Sequence, residues 1–210
     1  MSNEYNHPAL EDLSGQMHHF ERAKLREWVY QKKPSVVFEV GGGEGGGSTI
    51  QIAHTIKTLK DAGACLNTKF YTCDADPIET AKSIPYFSTH PDYKDFTEVS
   101  LDYSTSFLAR LISYNVIPDF VFFDGPEDPE LNLADFKMLE EVVPVGTMFA
   151  SHDWETEERI DTGFSIKNAA LRPYLENNEN WKEIECLSGV MGEWPNEESE
   201  NSVGLALYEK

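Results

Sequence analysis

The stretch Glu39-Val40-Gly41-Gly42-Gly43-Glu44-Gly45-Gly46-Gly47-Ser48 follows the apolar run Val36-Val37-Phe38 and opens a segment with helical spacing of apolar residues. Glycine fills six of the seven positions 41–47. Such a backbone must turn tightly and approach a partner closely, because glycine adds no Cβ and takes positive φ freely. Gly41, Gly43 and Gly46 satisfy G-x-G-x-x-G, so a strand–loop–helix unit that cradles a nucleotide is the first reading.

On either side of this loop the chain keeps one rhythm. Val36 to Val40 reads as a strand, Ser48 to Ala62 as a helix, and Lys69 to Cys73 as a second strand. The alternation continues with a short helix near Ile78–Ile84, a strand near Phe96–Leu101, a helix over Ser104–Tyr114 and a strand over Asp119–Phe123. Asp124-Gly125-Pro126 breaks that strand; a helix over Leu131–Val143, a strand over Thr147–Ala150 and a helix near Ser165–Glu176 follow. This is the βαβ pattern of a parallel sheet covered on both faces. The last two strands, Trp181–Leu187 and Val203–Glu209, are joined by 15 residues with no helical pattern, and so are expected to pair as an antiparallel hairpin. The acidic stretch Glu193–Glu200 reads as its solvated tip. Ahead of the first strand, Leu13 to Gln31 carries Leu13, Met17, Phe20, Leu25, Trp28 and Val29 at helical intervals before Pro34. Its expected role is to cover one edge of the domain, with a substrate lid or a homodimer contact as alternatives. Residues 1–33 are therefore read as a covering helix and 34–210 as the α/β domain.

Length and charge narrow the function. The 210 residues suffice for one ordinary domain, and 40% hydrophobic residues support a globular core. Asp and Glu number 37 against 17 Lys and Arg, a formal charge of −20 that repels nucleic acid and anionic membrane surfaces. Cys65, Cys73 and Cys186 form no CxxC pair, which suggests free thiols. With no basic-then-apolar leader and no long apolar span, a cytoplasmic location is expected.

Carboxylates around the loop discriminate between ligands. A pyrophosphate at this helix start would be opposed by Glu39 and Glu44, each by roughly 1 to 4 kcal/mol at 4 Å depending on the dielectric. S-adenosylmethionine carries a sulfonium and an ammonium instead, and suits an acidic neighbourhood. Asp74 closes the second strand, the position from which a carboxylate accepts both hydroxyl protons of a ribose. Asp76 is better suited to capping the helix after Pro77. Asp102, just past the third strand, is a candidate acceptor for an adenine amino group, or a simple turn residue.

These residues together resemble the class I S-adenosylmethionine-dependent methyltransferases over about residues 30 to 210. The resemblance rests on Glu39-x-Gly41-x-Gly43-x-Gly45, Asp74, Asp102-Tyr103, the strand ending Phe123-Asp124-Gly125, and the segment Gly146 to Trp154. More narrowly, Asp124-Gly125 with Asp135, then Ser151-His152-Asp153-Trp154, is similar to small-molecule O-methyltransferases whose fifth strand ends in a His-Asp-aromatic triplet. The resemblance implies a Rossmann-like, doubly wound seven-stranded sheet, mostly parallel with an antiparallel last strand. It also implies that Glu39, Gly41, Gly43, Asp74 and Asp102 line the cofactor pocket. Candidate contacts extend to Gly45, Ser48, Ala75, Tyr103 and Asp124. Three departures stand out: the glycine loop is one residue longer than usual, Pro126-Glu127 replaces the common Asp-His, and no lysine follows Asp124 before Lys137. A lysine base is therefore not carried over.

Asp124 and Asp153 end two strands joined by one crossover, so both reach the crevice at the carboxyl edge of the sheet. With Glu127 and His152 nearby they form a donor set suited to Mg²⁺ or Mn²⁺, which would acidify and orient a substrate hydroxyl. The plainer alternative is that Asp153 caps a helix and Asp124 shapes the turn. His152 is the candidate general base and Asp124 its catalytic neighbour. The favoured function is methyl transfer from S-adenosylmethionine to a hydroxyl of a small molecule or sugar. An NAD-linked oxidoreductase and a catalytically silent nucleoside-binding domain are the alternatives.

Overall fold

In a computed structural model the described residues are 17, 19–154, 166–187 and 204–210. The elements in chain order are α1 (His19–Lys32), β1 (Val36–Val40), α2 (Ser48–Asp61), β2 (Lys69–Asp74), α3 (Pro77–Thr89), β3 (Thr97–Leu101), α4 (Ser104–Ser113), β4 (Phe120–Phe123), α5 (Pro129–Glu140), β5 (Met148–His152), α6 (Leu171–Glu176), β6 (Lys182–Leu187) and β7 (Leu205–Glu209). The strands form one sheet in the order β3-β2-β1-β4-β5-β7-β6. Pairings among β1 to β5 are parallel, whereas β7 runs antiparallel to both β5 and β6. The expected α/β sheet and its terminal hairpin are both present, with β7 inserted between β5 and β6.

Alternation along the strands divides the core. Phe120 and Phe122 of β4 pack with Val37, Ile50, Phe70 and Phe87 on one face, beneath α1, α2 and α3. Val121 and Phe123 pack with Phe38, Phe107, Phe136 and Leu171 on the other, beneath α4, α5 and α6. Both faces of β4 are thus apolar, as a central strand of a doubly covered parallel sheet requires. Helix starts are set locally. Asp76 accepts from the N–H groups of Ile78 and Glu79, and Asp128 from those of Glu130 and Leu131; each precedes a proline at the first helical position.

Helix α1 packs on the first face through Leu25, Trp28 and Val29, and the Trp28 indole donates to Glu185 of β6 at 3.0 Å. It therefore covers the edge of the sheet, in line with the pattern of residues 13–31; the start of that pattern lies outside the described residues. The same holds for Ser165, the start of the expected helix before Glu176, and for Glu193–Glu200. Only Leu171–Glu176 of the former is helical, because residues 167–170 form turns. Helix α3 is longer than expected and tolerates Pro85. Among the described residues no helix is long and apolar enough to cross a membrane.

Candidate active site at the carboxyl edge of the sheet

The parallel strands β1, β2, β3, β4 and β5 all end at one edge, and Glu39, Asp74, Asp102, Asp124, His152 and Asp153 lie at or next to those ends. At the β1 end the glycine loop folds over the sheet. The N–H groups of Gly41 and Gly42 both donate to the Cys73 carbonyl of β2, at 2.9 and 3.0 Å. Gly41 has φ +87°, and a Cβ there would lie 2.0 Å from the Asp124 carbonyl oxygen. Only glycine lets the loop and the end of β4 meet so closely.

Asp74 braces the same loop. Its carboxylate accepts from Gly43 N–H and from Asp76 N–H, each at 2.8 Å, and lone pairs of both oxygens remain for a further donor. Asp102 follows β3 beside it, its N–H donating to the Asp74 carbonyl at 3.0 Å and its carboxylate 3.7 Å from Arg110. Ala75 and Tyr103 are exposed at this edge. Gly45 is packed against Phe87, and Ser48 is the buried first residue of α2.

The two loop glutamates differ from the expectation of free acidic flanks. Glu39 is fully buried beneath the loop, where its carboxylate accepts from the Thr49 hydroxyl of α2 at 2.6 Å. Burial pushes its pKa up to about 7, against the opposing hydrogen bonds of Ser48, Thr49 and Thr72. Glu44 is paired with Lys82 at 2.6 Å. Neither glutamate is therefore a free acidic flank against a pyrophosphate: Glu44 is compensated by Lys82, and Glu39 is buried with its pKa raised. What remains is positional, since Glu39 already occupies the inner side of the α2 N-terminus.

At the ends of β4 and β5 lies a buried charge cluster. His152 points to the α1 face, where Nε2 meets Glu21 Oε2 at 3.0 Å, while Nδ1 lies 3.2 Å from Asp124 and 3.5 Å from Asp153. Burial alone would lower the imidazole pKa, but Asp124, Asp153 and the bond to Glu21 outweigh it and hold it well above its ordinary value. The surrounding carboxylates favour the charged imidazolium, the form that donates a proton rather than accepting one. Asp153 sits at φ +55°, a left-handed conformation that Asp tolerates at a cost. Asn168 holds it there: its side-chain N–H₂ donates to the His152 and Asp153 carbonyls at 2.6 and 2.9 Å, and its oxygen accepts from Ser151 and Asn132.

The residue that sequence reasoning missed is Lys167. Its ammonium bonds Asp124 Oδ1 and lies 2.7 Å from Asp153 Oδ2, with the residue 3% exposed. Burial opposes its charge, yet the two carboxylates raise its pKa and keep it protonated, and in return Lys167 and His152 hold both carboxyls below their ordinary range against burial. Lys167 stands beyond β5 rather than shortly after Asp124. Its signal was the polar pair Lys167-Asn168 in register with Leu171 and Leu175, where a helical stripe calls for apolar residues.

Asp124, His152 and Asp153 do offer three ligand atoms within 4.8 Å of one another. As arranged they do not fit a divalent ion, because the Lys167 ammonium already bridges the two carboxylates. Glu127 is exposed and stands outside this group. Asp135 is buried and accepts from Thr105 at 2.6 Å, and Trp154 is buried against Tyr208.

No family model matches the chain, and no curated protein matches its sequence. Solved structures do. The chain is similar to the O-methyltransferase from Bacillus cereus in complex with SAH, at 18% identity over 96% of this chain and 86% of that one, TM-score 0.70. It is similar to the O-methyltransferase TomG from Streptomyces achromogenes in complex with SAM, at 13% identity over 94% and 82%, TM-score 0.69. Cofactor-bound Rv0187 from MTB aligns at 17% identity over 99% and 92%, TM-score 0.74. At these identities the likeness establishes the fold, and it spans nearly the whole chain in each case.

Proposed function

We propose that a chain with this shared fold and this strand-end chemistry is a methyltransferase, moving the methyl group of S-adenosylmethionine to a hydroxyl of a small molecule. The observation that carries the reading is Asp74, a carboxylate braced by Gly43 and Asp76 with lone pairs left over, beside a loop that only glycine can form. In this reading Asp74 accepts the ribose hydroxyls, Asp102 and Tyr103 border the adenine, and Gly41, Gly43 and Gly45 shape the backbone cradle. Glu39 acts indirectly, by holding Thr49 and the start of α2 against the loop. The fold shared with proteins solved with SAM or SAH favours this cofactor over NAD.

Asp124 links cofactor and acceptor, with its carbonyl against Gly41 and its side chain in the charge cluster. Transfer is an in-line displacement: the methyl–sulfur bond breaks as the methyl–oxygen bond forms, and the sulfonium becomes a neutral thioether. The attacking hydroxyl gains positive charge as it is methylated, so its proton becomes strongly acidic late in the step. A carboxylate of low basicity then suffices to take it, and Asp124, whose side chain is 26% exposed, is the acceptor we assign. His152 and Lys167 keep that carboxylate ionised. Alignment of the reactants supplies much of the remaining acceleration.

We assign residues 1–33 as a cover and 34–210 as the catalytic domain, a division supported by the packing of Leu25, Trp28 and Val29 of α1 in the core. The three free cysteines suit a reducing compartment, and the cytoplasm is the location we propose. The test is release of S-adenosylhomocysteine from S-adenosylmethionine with a panel of phenols, sugars and aliphatic alcohols. Formation with at least one hydroxylated acceptor is expected. NAD-dependent oxidation of the same alcohols, without methyl transfer, would overturn the reading.

A further inference from the structure

The charge cluster contains a cation that belongs to the chain. We propose that the Lys167 ammonium is a resident substitute for a divalent metal, holding the acceptor oxygen between Asp124 and Asp153, so that transfer here is metal-independent and needs only one acceptor oxygen. The inference rests on the methyltransferase reading above.

An ammonium has three N–H donors, and among the described residues Lys167 spends two of them, on Asp124 and Asp153. The third is available to an acceptor oxygen that enters beside the partly exposed Asp124. Such an oxygen would receive the Lys167 N–H with one lone pair, turn its own proton toward Asp124, and keep its other lone pair for the methyl group. A metal with open positions can bind two neighbouring oxygens of a diol, whereas one remaining N–H binds a single oxygen. Acceptors with an isolated hydroxyl are therefore expected to serve as well as vicinal diols.

Lys167 is also built in rather than loosely placed. Asn168, the next residue, is fully buried and carries four hydrogen bonds, two donated to the carbonyls of His152 and Asp153 and two accepted from Ser151 and Asn132. The Lys167 carbonyl accepts from Asn132 of α5 at 3.1 Å. Backbone and side chain are thus tied to both strand ends, and a divalent ion could enter only by displacing an ammonium at ion-pair distance from both carboxylates.

The experiment is a Mn²⁺ titration, followed by the paramagnetic signal of the free ion, on the wild type, Lys167→Met and Lys167→Arg, each also titrated with S-adenosylhomocysteine. The wild type and Lys167→Arg are expected to take up no Mn²⁺. Lys167→Met, which keeps the length and removes the charge, should bind it, with an affinity at least about tenfold above the limit set by the wild type. Stoichiometric Mn²⁺ binding by the wild type that is lost in Asp153→Asn would overturn the proposal, whether or not Lys167→Met folds. Equal failure of the wild type and a folded Lys167→Met to bind Mn²⁺ would overturn it as well. Absence of S-adenosylhomocysteine binding in the wild type would instead count against the cofactor assignment, and it leaves the metal arms readable.

Discussion

His152 on β5 and Glu21 on α1 meet with Nε2 3.0 Å from Oε2, both side chains at most 5% exposed. The covering helix is thereby joined to the charge cluster by a buried ion pair. Removing one partner of such a pair strands the other, at a cost of about 3 to 5 kcal/mol. Glu21→Ala should therefore lower the denaturant midpoint strongly, and Glu21→Gln less, because the amide still offers a hydrogen-bond acceptor.

The same pair has a pH signature. The folded pKa of His152 is raised above its ordinary value of 6.5. Its stabilising contribution is therefore complete below that ordinary value and is lost as pH rises through the folded one. The stability difference between the wild type and His152→Gln should shrink on the alkaline side. A difference that grows with pH would mean that the imidazole is buried neutral.

Glu39 shifts stability in the same direction, although here the neutral form is the one favoured by the fold. Its native pKa of about 7 exceeds the ordinary 4.5, so between these values the folded protein binds a proton that the unfolded chain has released. Stability then falls as pH rises through that window, by up to about 3 kcal/mol. Glu39→Gln keeps an acceptor for Thr49 and removes the titration, so it should be more stable than the wild type at pH 8 and equal to it near pH 4. Loss of stability at pH 8 would show that the ionised carboxylate is needed.

Gly41 and Gly63 form a matched pair, with φ +87° and +78°; a Cβ at Gly41 would meet the Asp124 carbonyl, whereas one at Gly63 would meet nothing within 4 Å. Gly63→Ala should cost only about 1 to 2 kcal/mol for the left-handed backbone. Gly41→Ala should cost about 3 kcal/mol or more and abolish cofactor binding. Equal costs in thermal unfolding would mean that the loop can move away from β4.

The strand rhythm, the glycine loop and the terminal pairing were legible because period-2 runs and glycine clusters are local signals. Asp76 as the cap of α3 was legible for the same reason. The electrostatics were not. Whether Glu39 faces ligand or core depends on alternation against Val37 and on the hydroxyl of Thr49, and whether His152 is a base depends on Glu21, 131 residues away in the chain. Lys167 escaped because the cation reaches Asp124 across 43 positions, from the far side of β5, and spacing along the chain carries no such information.

Calorimetric titration of S-adenosylhomocysteine and NAD into the wild type and Asp74→Ala bears on the cofactor assignment most directly. Saturable binding of S-adenosylhomocysteine to the wild type is expected, with no NAD signal. Asp74→Ala should weaken that binding by about 1.5 to 3 kcal/mol, roughly tenfold or more, since a charged acceptor of two hydroxyls is lost. Saturable NAD binding with none for S-adenosylhomocysteine, or unchanged affinity in Asp74→Ala, would contradict it.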